Sequence, residues 1–292
     1  MKIDICGNTD IGRKRQFNED SYLLLDLSRA GSQGSNSTSL IAVADGIGGH
    51  VGGDMASSLA VETIKEKIAG WAETSRSSYQ DARVLEESIQ LANRRIYEKA
   101  SSDSEFTGMG TTIVTALISG DWVTVSNVGD SRAYMIRDGS IKQISRDHSW
   151  KAEQQRLKVL SEKEIQESPF KHTITRSLGF EADVQVDTFQ IEIRGGDYLL
   201  LCSDGLYDSI PDGLMLKIVK KNKSLSKICQ KLIKEANKHG GQDNITAVLA
   251  SIKGTVKPGS RQKPSDTVKL DDHDRKVKVS DTVLLPDPDG KP

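Results

Sequence analysis

The sequence predicts an α+β protein built on antiparallel sheet, and two observations carry that prediction. Strand-like runs come in consecutive groups rather than alternating one by one with helices. Glycine-containing turn signals join some of them directly: "ISGDW" lies between "TTIVTALIS" and "WVTVSNV", and "RDGS" follows "RAYMIR". Such short connections close hairpins, so antiparallel sheet is expected between Thr111 and Ile144. A doubly wound parallel sheet would need strand and helix to alternate, and they do not.

The elements follow in order. "SYLLLDL" (Ser21–Leu27) and "SLIAVA" (Ser39–Ala44) are rich in bulky apolar residues and read as strands. Cys6 also lies in a strand-like run. Helical spacing appears over Met55–Ala69, where Ala56, Leu59, Ala60, Thr63, Ile64 and Lys67 fall near one face. It returns over Val84–Ala100 and Leu225–His239. Between these helices come the strand meander and a polar insert, Trp150–Arg176. In the insert, Ser161 and Glu164 have capping-box spacing and predict a short helix. "YLLLCS" and "NITAVLASI" read as further strands.

The bulk numbers narrow the function. A chain of 292 residues with 36% hydrophobic and 28% charged residues can bury a core and keep a soluble surface. A net charge of −1 gives no basic excess for nucleic acid. Cys6, Cys202 and Cys229 are too few and too scattered for a disulfide framework or a cysteine zinc site. Cys6 and Cys202 read as small core residues. No signal-peptide pattern and no run of about 18 apolar residues occurs, so the expected place is the cytoplasm, away from membranes.

Composition changes near Gly254. Pro258, Pro264, Pro286, Pro288 and Pro292 all follow it, and no aromatic residue does. Such a segment buries too little apolar surface to offset its ordering entropy. The expected organisation is therefore a folded domain over 1–253 and a flexible tail over 254–292. Within the tail, "SDTVKL" (265–270) returns as "SDTVLL" (280–285). This repeat is either chance in a biased segment or a pair of threonines, Thr267 and Thr282, open to phosphorylation or docking.

The chemistry lies in the acids. Asp45 ends "IAVADG", Asp130 ends "VTVSNVGD", Asp204 ends "YLLLCSDG", and Asp243 opens "GGQDNITAV". Each stands at a strand end with glycine within two residues, and Glu19-Asp20 precedes another strand. One Asp-Gly alone is a turn former. Strand ends of packed sheets can converge on one rim, and acids gathered there repel unless cations join them. Carboxylates without Cys or His suit Mg²⁺ or Mn²⁺ rather than Zn²⁺. Paired divalent ions commonly hydrolyse phosphate esters. The glycine-rich "GIGGHVGGD" is no P-loop, because Lys and Ser/Thr are missing at its end.

Over nearly all of residues 1–252 the sequence resembles the PPM-type, protein phosphatase 2C-like, metal-dependent Ser/Thr phosphatases, bacterial members above all. The pieces are "TDIGRKRQFNEDSY", "VADGIGGHVGGDMAS", "GMGTTIVTALI", "VSNVGDSRAYMIRDG", "ISRDHSW", "HTITRSLG", "YLLLCSDGLYD" and "GGQDNITAVL", in this order. The resemblance implies two packed antiparallel sheets flanked by helices, with metals in a cleft at one end. It implies that Asp45 bridges two metals and that Gly46 offers its carbonyl. Asp204 and Asp243 would complete the first metal site. Asp20 would belong to the second, beside Glu19, and Asp130 with Asp204 would form a third, weaker site.

Arg15 would hold the substrate phosphate, a task its forked guanidinium suits; its alternative is a surface charge. The implied reaction is in-line attack on phosphoserine or phosphothreonine by a hydroxide bridging two Mg²⁺ or Mn²⁺. His50 is read as the proton donor to the leaving group, or as a turn residue or one that touches a metal-bound water. Thr111 and Thr112 orient metal waters or pack a strand, and Arg132 pairs with a buried carboxylate. Asn244 serves a turn or supports the site, and Asp54 caps the following helix. Cys202 is core, and the 150–176 insert is a flap that shapes substrate choice. The expected partners are phosphorylated proteins and a cognate Ser/Thr kinase whose bacterial signalling this enzyme, a monomer, would oppose. A catalytically silent sensor of the same fold and a small phosphate-ester hydrolase are the alternatives.

Overall fold

The structure, a computed structural model, describes residues 1–28, 38–48, 52–71, 78–222, 224–254 and 268–269. Two antiparallel sheets face each other. The first joins β1 (Lys2–Asp10), β7 (Arg132–Arg137), β8 (Ser140–Gln143), β10 (Tyr198–Cys202) and β11 (Ile245–Lys253) in the order β1-β11-β10-β7-β8. The second joins β2 (Asp20–Asp26), β3 (Thr38–Ile47), β5 (Ile113–Ser119), β6 (Trp122–Val128), β9 (Asp187–Glu192) and β12 (Val268–Lys269) in the order β12-β9-β6-β5-β3-β2. The two-residue β4 (Gly110–Thr111) pairs with the end of β3.

Each strand in the middle of a sheet is covered on both faces, which explains why these runs are continuously apolar. Ile41 and Val43 of β3 point inward and meet Leu199, Leu201, Val248 and Ala250 of the other sheet. Their neighbours Leu40, Ala42 and Ala44 point outward onto α1 (Gly52–Trp71) and α2 (Ser78–Ser102) through Ala60, Ile64, Leu85 and Ile89. On the opposite flank, Tyr134, Leu200 and Leu249 pack under α5 (Asp204–Tyr207), α6 (Asp212–Lys221) and α7 (Leu225–Lys238). The period-2 alternation of a strand thus feeds two cores at once. A leucine fully buried here contributes about 1.5–3 kcal/mol. The result is helix, sheet, sheet, helix, as expected.

Some elements depart from the sequence reading. β1 is a full nine-residue strand that pairs with β11 along its length. Its half-buried residues give an edge strand a weaker apolar signal than the centre. α2 starts at Ser78, six residues before the apolar spacing begins, because a first helical turn needs no apolar face. α1 starts at Gly52, so Asp54 is not its cap: it lies exposed in the first turn, where it complements the helix dipole. Cys202 is buried and Cys6 only partly so. The insert folds as α3 (Trp150–Leu157) and α4 (Glu162–Glu167), the latter with the predicted Ser161/Glu164 capping box. Among the described residues no helix is long and apolar enough to cross a membrane.

Candidate metal centre

The register of the sheets gathers the acids. Asp20 and Asp45 stand directly opposite each other at the shared end of β2 and β3. β10 and β11 are neighbours in the other sheet, and Asp204 follows one while Asp243 precedes the other. The rim therefore draws carboxylates from both sheets.

Asp20 ties the two sheets together. Its Oδ2 accepts hydrogen bonds from Ser203 Oγ at 2.7 Å and Thr246 Oγ1 at 2.6 Å, at the ends of β10 and β11. Asp45 is braced through its backbone. Thr112 Oγ1 accepts the Asp45 N–H at 3.0 Å, and Thr111 Oγ1 donates to the Asp45 carbonyl at 2.8 Å. Both threonines therefore act on the main chain that carries the acid. Gly46 donates its N–H to the Glu19 carbonyl at 3.2 Å. A Cβ on Gly46 would stand 2.2 Å from the Gly53 carbonyl oxygen and 2.7 Å from that of Glu19. Glycine is required here by close backbone approach.

One side chain gathers three points of the loop that carries Arg15. Asn244 Oδ1 accepts the Glu19 N–H at 2.9 Å, and its Nδ2 donates to the carbonyls of Ile11 at 3.0 Å and Phe17 at 2.9 Å. Only proximity to Asp243 in the sequence hinted at this role. Half-exposed Arg15 reaches inward: its Nη2 donates to Asp243 Oδ2 at 2.7 Å, and Nη1 is 4.0 Å from Glu19 Oε2. That bond to Asp243 raises the guanidinium pKa and keeps its charge firmly in place.

Asp130 sits after Gly129, whose φ is +99°. Tyr207 Oη donates to the Asp130 carbonyl at 3.1 Å, and the Arg132 guanidinium lies 3.6 Å above the Tyr207 ring. Arg132 in turn grips Asp147 with Nε at 3.1 and 3.0 Å and Nη2 at 2.6 Å. Arg132 is thus the structural ion-pair residue that the sequence suggested.

Burial, and then the company of other carboxylates, raises the acids' pKa values. Asp45 is pushed well above the usual range by desolvation and by Asp20, Asp204, Asp130 and Asp243. Asp204 is pushed up by desolvation and by Asp130, Asp243 and Asp20. Burial lifts Asp20 to about 6, although Thr246 and Ser203 hold it down. Burial and Asp147 lift Asp130 to about 6. Asp208, which the sequence reading passed over, adds to the negative field on Asp130 and Asp204.

The chemistry of this set fits hard divalent cations. Asp20 Oδ1 and Asp204 Oδ1 are buried without a hydrogen-bond partner. Oxygen donors that repel one another and have unused acceptor capacity are what a divalent cation satisfies. Among the described residues, no three His, Cys, Asp or Glu side chains are already drawn into a cation cage. His50 lies outside the described residues, as do Thr267 and Thr282 of the tail repeat.

The flap stands across the cleft. Its stem closes through Trp150 N–H to the Thr173 carbonyl at 2.9 Å and Thr175 N–H to the His148 carbonyl at 2.9 Å. A cavity of about 570 Å³ runs between Asp130, Asp204 and Asp243 on one side and Lys171 and His172 of the flap on the other.

A family model described as Protein phosphatase 2C matches residues 6–245. The chain belongs to the protein phosphatase 2C family. It is 37% identical over 243 residues to the serine/threonine phosphatase Stp of Listeria welshimeri, covering 82% of this chain and 92% of that protein. The solved structure of the S. agalactiae serine/threonine phosphatase has a TM-score of 0.77 at 35% identity, covering 86% of this chain and all of that one (100%). The catalytic domain of the phosphatase PstP, solved in complex with two manganese ions, has a TM-score of 0.71 at 29% identity, covering 86% and 99%. The two antiparallel sheets flanked by helices are those of its protein phosphatase 2C neighbours.

Proposed function

We propose that this protein hydrolyses phosphoserine and phosphothreonine in other proteins at a centre of two divalent cations, Mg²⁺ or Mn²⁺. The carrying observation is the meeting of Asp20, Asp45, Asp204, Asp243 and Arg15 at one rim, with two sheets supplying the acids. Family membership supports the activity, and the manganese-bound PstP domain supports the cations.

In this reading Asp45 and the Gly46 carbonyl would help to hold the cations. Asp204 and Asp243 would hold one cation, and Asp20 with Glu19 would serve the other. Asp130 and Asp204 would form a third, weaker site. When bound, the cations supply an activated water and offset charge that develops on phosphorus. Arg15 binds phosphate oxygens and is released from Asp243 to do so. His50 is the candidate proton donor to the departing oxygen. Residues 1–253 form the catalytic domain, and the segment expected as a free tail over 254–292 returns to it at Val268–Lys269, which pair with β9 as β12. The protein is a cytoplasmic monomer that opposes a Ser/Thr kinase.

The test is Mn²⁺-dependent hydrolysis of a phosphothreonine peptide. Asp45→Ala is expected to lower kcat by at least about a thousandfold while circular dichroism stays unchanged. Full activity in that variant, or in excess chelator, would sink the proposal.

A further inference from the structure

The loop that follows the flap is built as a wall. Asn93, fully buried on α2, commits its whole amide to it: Nδ2 donates to the carbonyls of Glu181 at 2.9 Å and Ala182 at 3.0 Å, and Oδ1 accepts the Gly179 N–H at 2.9 Å. Gln90, also on α2, donates to the Val184 carbonyl. Leu178 exchanges two backbone bonds with Thr111, at 2.8 and 3.1 Å. Tied at these points, the loop buries Leu178 and Val184 but leaves Phe180 on its outer side. Phe180 accordingly stays 52% exposed. Its ring rests over Gly110, where a Cβ would come within 2.3 Å of it. The glycine leaves room for the ring.

Phe180 forms the lip of a cavity of about 600 Å³ whose other apolar walls are Ile47, Ile174 and Val184. Arg176 and the exposed Glu181 also line it, and the Arg176 charge is met by Asp187 at 3.1 Å. Two features connect this cavity to the metal centre. Ile47 lies two residues beyond Asp45 on β3, about 7 Å along the strand. His172 and Ile174 line both this cavity and the acid-lined one, so the returning flap segment is a ridge between them. An extended polypeptide also advances about 3.4 Å per residue. With its phosphate at the acids, a side chain one or two residues away spans the ridge and reaches the cavity. An exposed aromatic held rigid beside a concave surface of mixed apolar and polar lining is the mark of a binding pocket.

We propose that this cavity receives a leucine-sized or larger apolar side chain one or two residues from the phosphorylated residue of the substrate polypeptide, and so sets sequence preference. The inference rests on the phosphatase reading and names a substrate feature for that site. The test uses the full chain with Mn²⁺ and phosphothreonine peptides that carry Leu, Ala or Asp in turn at each of the four positions within two residues of the phosphothreonine. Hydrolysis of p-nitrophenyl phosphate, which has no flanking side chain, reports on the metal centre alone. Leu at one position within two residues is expected to raise kcat/KM about tenfold over Ala. Phe180→Ser is expected to bring that Leu-to-Ala ratio to about one, and Phe180→Leu to retain it. Equal rates for Leu and Ala at every position overturn the proposal, as does a preference for Asp or a Leu preference that survives Phe180→Ser. A wild-type chain inactive on peptides and on p-nitrophenyl phosphate overturns the phosphatase reading, and this inference with it.

Discussion

The acid rim and the flap face each other across one cleft, and they are held in different ways. At the rim, long-range bonds tie Asp20 to Ser203 and Thr246 of the other sheet and the Asp45 backbone to Thr111 and Thr112. The flap is held mostly by local bonds. Its helices are short, Ser161 and Glu164 cap one of them, and Leu157, Val159 and Phe170 are 61%, 73% and 54% exposed. Catalytic geometry tolerates little displacement, so its groups sit on strands that packing over-determines. Recognition surfaces tolerate variation and are carried on loops. The molecule puts rigidity where charge must be controlled and looser, locally held structure across the cleft from it.

The largest expected effect breaks the joint between the two regions. Arg132→Ala leaves Asp147, at the foot of the flap, without its bidentate partner in a largely buried place. Unfolding in urea should show a loss of about 3 kcal/mol. A loss under about 1 kcal/mol would mean that the rim and the flap stem are not held together by this pair.

A second effect, of similar or smaller size, sharpens the rim's side of the contrast. Asp20 and Asp130 have folded pKa values of about 6, raised above the ordinary 3.8. Each binds its proton more tightly when folded than when unfolded. The stability this provides is full below about pH 4 and is lost as pH rises through about 6. Chelator-treated protein should therefore lose about 2–3 kcal/mol from Asp20 between pH 4 and 7. Mn²⁺ should restore it at pH 7, where the acids are charged. Thermal melts with and without chelator check this, and a chelated protein that gains stability over that range contradicts it.

The smallest effect belongs to the flap. Leu157→Ser and Val159→Ser remove exposed apolar side chains and should change unfolding free energy by less than about 0.5 kcal/mol. Hydrolysis of p-nitrophenyl phosphate should stay within twofold of wild type. A large loss of stability would show that the flap is packed more tightly than its exposure suggests.

Much of this protein is legible before folding is considered. Apolar runs gave the central strands, periodicity gave the cores of the long helices, and Ser161 with Glu164 marked a helix start. The oxygen-only acid set at strand ends named the class of cation. These signals are local: each depends on residues within a few positions of one another. β1 was less visible because an edge strand is half exposed, and Asp54 was misread because the helix began two residues earlier.

Other features exist only in three dimensions. β1 meets β11 with Asp10 opposite Ile245, and that register brings the Arg15 loop to Asn244 and Asp243. Asp20 finds Ser203 and Thr246, and Asn93 finds the Gly179–Ala182 loop. The sequence by itself determined which groups could bind a cation and which segments would be strands. The tertiary structure decided which acids share a field, how far their pKa values rise, and that a second cavity opens beyond the flap ridge. The reason is physical: propensity and periodicity act over a few residues, whereas desolvation, charge repulsion and cavity shape depend on groups that only the packing of two sheets brings together.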